Sequence, residues 1–272
     1  MLSRFIHNLR SLRRLSALAW VLTIAATSLA FRPAHRRSLA ARARWLQTTC
    51  RSALRALGVS YAATGHPPVT GTVLAVNHLS YLDILVLGAT TPTVFVAKNE
   101  VRSWPVFGWF ARMAGTCFVD RERRGDVARV SHEFAPVLDS GLRLVLFLEG
   151  TSTDGQKVLP FKSSLLEPAI EARWPVVPAA VSYSVPSGYS IVEEVCWWGD
   201  MTFSPHLFNL AGLPRIQAQI AWGEPMPPTK DRKILASALH HRVTQLHESL
   251  KSSAPLPPTA VPTDLTPVLA QS

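Results

Sequence analysis

Beyond residue 70 the chain alternates between short β-branched runs and stretches with helical periodicity. The predicted strands are 73–76, 94–97, 117–119, 142–148, 176–181 and 216–222. The predicted helices between them include 104–114, 126–138, 164–173 and 235–249. Strands that alternate with helices typically form an α/β fold, in which helices flank a largely parallel or mixed sheet. We therefore predict this fold class, with a catalytic or binding domain over residues 61–251.

An apolar run over residues 15–31 precedes this domain and contains no charged side chain. A run of this length is near the lower limit for a helix that spans a bilayer, at about 1.5 Å per residue. Arginines flank both of its ends, so the positive-inside rule gives no clear orientation. A membrane span, a re-entrant or interfacial helix and a cleaved signal are the alternatives.

The next segment, 37–57, has the periodicity of an amphipathic helix. Its apolar stripe contains Leu39, Ala43, Leu46, Cys50, Ala53, Leu54 and Leu57. Its opposite face contains Arg37, Arg44, Arg51 and Arg55. The segment is either an ordinary domain helix with a solvated basic face or an interfacial helix whose arginines bind lipid phosphates. The preceding apolar run favours the interfacial helix, so we predict a membrane-associated helical hairpin over residues 1–60.

The distribution of charge agrees with that interpretation. The net charge is +10, but residues 1–60 contain 11 arginines and no acidic residue. The remaining 28 − 11 = 17 basic residues face 18 acidic ones, which leaves a net charge of −1 over 61–272. Basic charge confined to an apolar segment is typical of binding to an anionic bilayer and argues against a nucleic-acid partner. The end of the chain, 252–272, is rich in Pro, Ala and Thr, and we predict a disordered tail.

Candidate chemistry begins directly after the first predicted strand of the domain, in Asn77-His78-Leu79-Ser80-Tyr81-Leu82-Asp83. If the histidine lies in the loop and the aspartate on the first helical turn, the two side chains can meet. The aspartate would then hold one imidazole nitrogen protonated and leave the other as a base. Taken alone, the spacing fits equally with a polar histidine in a helix cap.

Three further blocks follow in order: Phe118-Val119-Asp120-Arg121, Glu149-Gly150-Thr151, and Val177-Pro178 within an apolar run. With the His78 block, this ordered set over residues 72–182 resembles the 1-acylglycerol-3-phosphate acyltransferase family, the phospholipid/glycerol acyltransferases. The resemblance implies an O-acyltransferase that moves a fatty acyl group to the free hydroxyl of a lysolipid. It implies acyl-CoA or acyl-carrier protein as the thioester co-substrate, with no metal and no other cofactor.

The resemblance also implies a role for each block. His78 and Asp83 are the expected catalytic pair. The expected substrate-binding residues are Arg121, Glu149, Gly150, Thr151 and Lys162, and Val177 and Pro178 are expected to line the acyl chain. Plainer interpretations are a surface ion pair for Arg121, a solvated side chain for Lys162 and an ordinary buried strand around Val177.

One position departs from the family pattern. Many members that act on lysophosphatidic acid have arginine after E-G-T, whereas this chain has Ser152. The longer stretch E-G-T-S-T-D-G is similar to a subset that acts on other lysolipids, including lyso-ornithine lipid. We expect an enzyme like 1-acyl-sn-glycerol-3-phosphate acyltransferase in phospholipid biosynthesis, at the inner membrane with a cytoplasmic active site. The alternatives are an acyltransferase for lyso-ornithine lipid, an acyl-thioester hydrolase and a non-catalytic lipid-binding protein.

Overall fold

The computed structural model describes residues 1–31, 33, 38–120, 124–227 and 229–253, without the side chains of 124–131. Its helices are α1 (Leu2–Phe31), α2 (Leu39–Leu57), α3 (Leu82–Thr90), α4 (Phe107–Ala114), α5 (Arg124–Asp139), α6 (Glu167–Glu171), α7 (Ile191–Glu194), α8 (Phe203–Gly212) and α9 (Arg232–Ser252). Its strands are β1 (Val59–Thr64), β2 (Val73–Val76), β3 (Thr93–Lys98), β4 (Cys117–Val119), β5 (Arg143–Phe147), β6 (Val176–Ser184) and β7 (Ile216–Trp222). Short 3-10 helices cover Asn99–Ser103 and Ser164–Leu166. Most of the predicted tail lies outside the described residues.

The strands form one seven-stranded sheet in the order β1-β7-β6-β2-β5-β3-β4. All neighbours are parallel except β6 and β7, which are antiparallel. The strand β2 lies near the middle and all four of its residues are buried, which explains its unbroken apolar sequence. The predicted α/β class with a mixed, largely parallel sheet is confirmed.

The strand β1 was not predicted from the sequence. It begins directly after Gly58, which ends α2 in the left-handed conformation at φ 70°. The strand lies at the edge of the sheet and pairs with β7 alone among the described strands, from Val59 opposite Ile216 onward. Its half-buried pattern and small side chains gave it weak strand periodicity, so its partner β7 decides its conformation.

The helix α1 is longer than the predicted apolar run, because it begins at Leu2. One face packs on the protein body, where the Arg14 guanidinium donates to the carbonyl oxygens of Leu213 at 2.6 Å and Ala211 at 3.2 Å. These carbonyls lie at the carboxyl end of α8, where a cation is favourable. The other face is apolar and exposed, with Leu2, Phe5, Ile6, Leu9, Leu12, Trp20, Ile24 and Phe31. By length and composition, α1 could cross a membrane.

The apolar stripe of α2 lies in the protein core and not against lipid. Cys50, Leu54 and Leu57 are buried in the cluster that covers one face of the sheet. The Trp45 indole donates to the carbonyl oxygen of Ala25 in α1. Protein therefore covers this stripe, and the expectation that the α2 arginines bind lipid phosphates in a membrane-associated hairpin stays a prediction. Periodicity shows that a helix has an apolar stripe, but not whether protein or lipid covers it.

Candidate active site

The predicted pair meets at the carboxyl end of β2. His78 lies in the loop after the strand and Asp83 lies on the first turn of α3. Nδ1 of His78 is 2.8 Å from Oδ2 of Asp83. Because a carboxylate only accepts hydrogen bonds, Nδ1 carries the proton and Nε2 is left with a free lone pair. The His78 side chain is 20% exposed, whereas that of Asp83 is fully buried.

Four donors surround the buried Asp83 carboxylate. Besides His78, the backbone N–H groups of Leu79 and Ser80 donate to Oδ2 at 2.7 and 3.0 Å. The Tyr183 hydroxyl donates to Oδ1 at 2.6 Å from β6. Burial, together with the neighbouring Asp83 carboxylate, raises the pKa of Tyr183 well above its ordinary value, so its hydroxyl keeps its proton. The carboxylate therefore has one fixed orientation toward the imidazole.

Glu149 ties the histidine loop to the loop after β5. Its Oε1 accepts from the backbone N–H of His78 at 2.7 Å, and its Oε2 accepts from that of Leu159 at 2.7 Å. Burial raises the pKa of Glu149 to about 7, although both N–H donors act in the opposite direction. With both oxygens occupied and 3% of its surface exposed, Glu149 positions the His78 backbone. Direct contact with substrate, as expected from the sequence, does not fit this geometry.

Three further contacts hold the loop that contains His78 and Leu79. The His78 ring stacks on Phe147, with ring centroids 4.1 Å apart. The backbone N–H of Thr153 donates to the His78 carbonyl oxygen at 3.0 Å, and that of Trp197 donates to the Leu79 carbonyl oxygen at 2.8 Å. Sequence reasoning missed Tyr183, Phe147 and Thr153 as parts of the site. Nothing in the local sequence of β5 or β6 predicts that Phe147 or Tyr183 contacts the loop of His78.

The other predicted site residues lie in different settings. Gly150 follows β5 at φ 81°, a conformation that favours glycine, and Thr151 beside it is exposed. Lys162 is exposed, and its backbone N–H donates to the Leu148 carbonyl oxygen at 2.9 Å. These three residues surround the carboxyl end of β5. Arg121 lies outside the described residues.

Val177 and Pro178 do not line an open acyl site. Both are buried in β6, where they pair with Leu74 and Ala75 of β2. Val177 belongs to a buried cluster with Leu54 of α2 and Leu82 of α3, and β6 also packs against α9. Their burial gives no support to an acyl pocket at these two positions. An apolar central strand and a ligand wall have the same sequence pattern.

The buried thiols are poor candidates for a covalent acyl carrier. Burial raises the pKa of both Cys50 and Cys196 to about 12, so neither forms a thiolate near neutral pH. Cys117 is also buried, on the edge strand β4. The setting of these thiols therefore gives no support to an acyl-cysteine intermediate.

Comparison with known proteins agrees with this geometry. The acyltransferase family model matches residues 60–182, which include both His78 and Asp83. A lyso-ornithine lipid O-acyltransferase of Brucella abortus is 40% identical over 190 residues, which are 65% of this chain and 71% of that protein. A 1-acyl-sn-glycerol-3-phosphate acyltransferase of Neisseria gonorrhoeae is 37% identical over 127 residues, 47% of this chain and 49% of that protein.

The fold has a close counterpart among solved structures. The crystal structure of the 1-acyl-sn-glycerophosphate (LPA) acyltransferase PlsC from Thermotoga maritima superposes with a TM-score of 0.65. The match covers 90% of this chain and 99% of that chain at 21% sequence identity, so it shows a shared fold. With the family match and the Brucella abortus relative, these findings show that the chain belongs to the acyltransferase family and is an acyl-transferring enzyme.

Proposed function

We propose that this enzyme moves a fatty acyl group from a thioester to the free hydroxyl of a lysolipid. The observation that carries the proposal is the His78–Asp83 pair, which leaves Nε2 of a partly exposed imidazole available as a base. A positioned base typically accelerates such a proton transfer by about 10²–10⁴-fold.

The reaction proceeds in one exchange at the thioester carbonyl carbon. His78 Nε2 takes the proton of the acceptor hydroxyl while the hydroxyl oxygen attacks that carbon. The new C–O bond forms, the C–S bond then breaks, and the imidazolium returns its proton to the departing thiolate. The products are the acylated lipid and a free thiol. The Asp83 carboxylate orients the ring and stabilises the positive charge that develops on it.

A lyso-ornithine lipid is our first candidate for the acceptor, ahead of 1-acyl-sn-glycerol-3-phosphate. The Brucella abortus relative has this activity by name and matches more of this chain than the Neisseria gonorrhoeae relative. Ser152 provides a hydroxyl where an arginine would bind a phosphomonoester, and Thr151 beside it is neutral. This choice reverses the order expected from the sequence.

Membrane association is part of the same proposal. An acceptor with a fatty chain resides in a bilayer, and the exposed apolar face of α1 provides an anchor of matching chemistry. We place the enzyme at the inner membrane with its active site toward the cytoplasm, where acyl-CoA and acyl-carrier protein are available as donors.

The test offers the purified full chain a panel of lysolipids with labelled acyl-CoA and, separately, labelled acyl-carrier protein. We expect new O-acylated lipid by mass spectrometry, first with lyso-ornithine lipid. His78→Ala is expected to lower turnover by about 10²–10⁴-fold, whereas the exposed His66→Ala should not. Release of free fatty acid without new lipid would identify a hydrolase, and unchanged turnover in His78→Ala would refute the base.

A further inference from the structure

A strained turn lies between the 3-10 helix Asn99–Ser103 and α4. The backbone N–H of Phe107 donates to the Pro105 carbonyl oxygen at 2.6 Å, which closes a γ-turn. The central residue is Val106, at φ 61° and ψ −63°. This form of the γ-turn is rare, and a β-branched residue is especially unfavourable at positive φ. Strain of this kind persists where the surrounding structure imposes it, often at functional sites.

The turn exposes apolar side chains side by side. The exposed fractions are 38% for Trp104, 54% for Val106 and 39% for Phe107. We refer to residues 104–107 as the apolar tip. Single exposed apolar residues are normal on a protein surface, but a contiguous aromatic group on a strained turn indicates a contact.

Packed rings connect the apolar tip to the catalytic loop. Trp104 contacts Trp197 and Phe107 contacts Phe203, with ring centroids 6.0 and 5.1 Å apart. Both Trp197 and Phe203 contact Tyr81, with centroids 6.0 and 5.0 Å from its ring. Tyr81 lies between His78 and Asp83 in the chain, so the tip is at the rim of the candidate active site.

Three arginines lie around α4, the helix that begins at the tip. Arg42, Arg102 and Arg112 line one cavity of about 500 Å³. Arg42 donates to the carbonyl oxygens of Met113 and Arg112, and Arg112 donates to that of Arg102. Glu133 lines the same cavity, so the charged side chains that line it are three arginines and one glutamate. The cavity therefore has a net positive charge, with donors suited to phosphate oxygens.

We propose that the apolar tip and these three arginines form a docking surface for an anionic bilayer. The tip enters the interfacial region and the guanidinium groups bind lipid phosphates. Exposed aromatic side chains next to arginine are typical of membrane interfaces. The tip leads into α4, whose Phe110 and Met113 pack with Ala25 of α1. The proposal rests on the proposed function, in which the acceptor is a membrane lipid.

Insertion of the tip can be measured with a nitroxide label on Val106→Cys. The three native cysteines are buried, so the new thiol is the reactive one. The full chain is reconstituted in phosphatidylcholine vesicles with and without phosphatidylglycerol, with Ser237→Cys on exposed α9 as the control position. Oxygen is concentrated in the bilayer, whereas a polar nickel chelate stays in water. We expect oxygen to relax the label at 106 more than the chelate does, and the chelate to relax the label at 237 more than oxygen does. Equal, water-like accessibility at the two positions would overturn the proposal.

The arginines are tested in the same assay with Arg102→Gln/Arg112→Gln in the labelled chain. The matched control, Arg232→Gln/Arg242→Gln on α9, removes the same charge from exposed positions. We expect only the first pair to abolish the increase in label depth that phosphatidylglycerol causes. An equal loss in both pairs would show diffuse charge, and unchanged depth with a raised KM for acyl-carrier protein would show an acidic protein partner. Either result overturns the proposal.

The depth measurement does not depend on turnover. An inserted tip in a protein without acyl transfer would refute the proposed function and leave the docking surface standing. Acyl transfer by a protein whose label stays in water would refute the docking surface alone.

Discussion

Replacement of Tyr183 by phenylalanine tests how the buried carboxylate controls the histidine. The Tyr183 hydroxyl donates to Asp83 Oδ1 at 2.6 Å, and both residues are buried. A hydrogen bond to a charged group contributes about 1.5–3 kcal/mol, and phenylalanine removes the donor while it keeps the ring. We expect the free energy of unfolding to fall by about 2 kcal/mol. At about 2–4 °C per kcal/mol for a protein of this size, Tm should fall by about 4–8 °C.

The same substitution should also lower turnover. Without the Tyr183 donor, the Asp83 carboxylate has one contact fewer to hold its orientation toward the His78 ring. A loss of about 1 kcal/mol of transition-state stabilisation lowers kcat by about fivefold. The assay is kcat of the full chain in detergent, together with thermal unfolding.

Tyr189→Phe is the matched control, because Tyr189 is half-buried in the loop after β6 and away from Asp83. It should change neither Tm nor kcat. A Tyr183→Phe enzyme with wild-type Tm and wild-type kcat would refute the reasoning. A lower Tm with an unchanged kcat would assign Tyr183 a structural role alone.

Two further substitutions probe the loops and the α1 contact. Glu149→Gln leaves one backbone N–H facing an amide N–H₂ and should lower the free energy of unfolding by about 1–3 kcal/mol at about pH 5, measured by denaturant titration. Burial raises the pKa of Glu149 from 4.5 to about 7, so the stability that this residue contributes is complete below pH 4.5 and is lost as the pH rises through 7. The free energy of unfolding of the wild type should therefore fall more steeply over that pH range than that of Glu149→Gln. Equal slopes would contradict this. Gly58→Ala forces alanine to φ 70° and places its methyl group against the Arg14 guanidinium, whereas Gly188→Ala has positive φ but no neighbouring atom within 4 Å of its methyl group. Positive φ alone costs about 1–2 kcal/mol, so Tm should fall further for Gly58→Ala, and equal losses would show that the Arg14 contact contributes nothing.

The local sequence patterns predicted the bounds of several apolar strands correctly. The bounds of β2, β4 and β7 coincide with the predicted ones. The edge strand β1 could not be predicted because its small side chains acquire strand structure from pairing with β7, about 150 residues later in the chain. The α2 stripe was recognised, but its covering by α1 and α3 depends on the whole fold.

A comparable apolar pattern led to the expectation that Val177 and Pro178 line an acyl chain. An apolar run reports that a segment avoids water, and it does not report whether protein or ligand provides the apolar surroundings. Only the position of β6 inside the sheet shows that these two residues belong to the core.

The candidate site also contains contacts that the sequence predicts and contacts that it does not. His78 and Asp83 are five residues apart, so a loop followed by one helical turn is enough to bring them together, and the sequence alone predicts the pair. Tyr183 is 100 residues from Asp83, and Glu149 is 71 residues from His78. Only the tertiary structure decided these contacts, because the parallel arrangement of β2, β5 and β6 brings the three strand ends to one edge of the sheet.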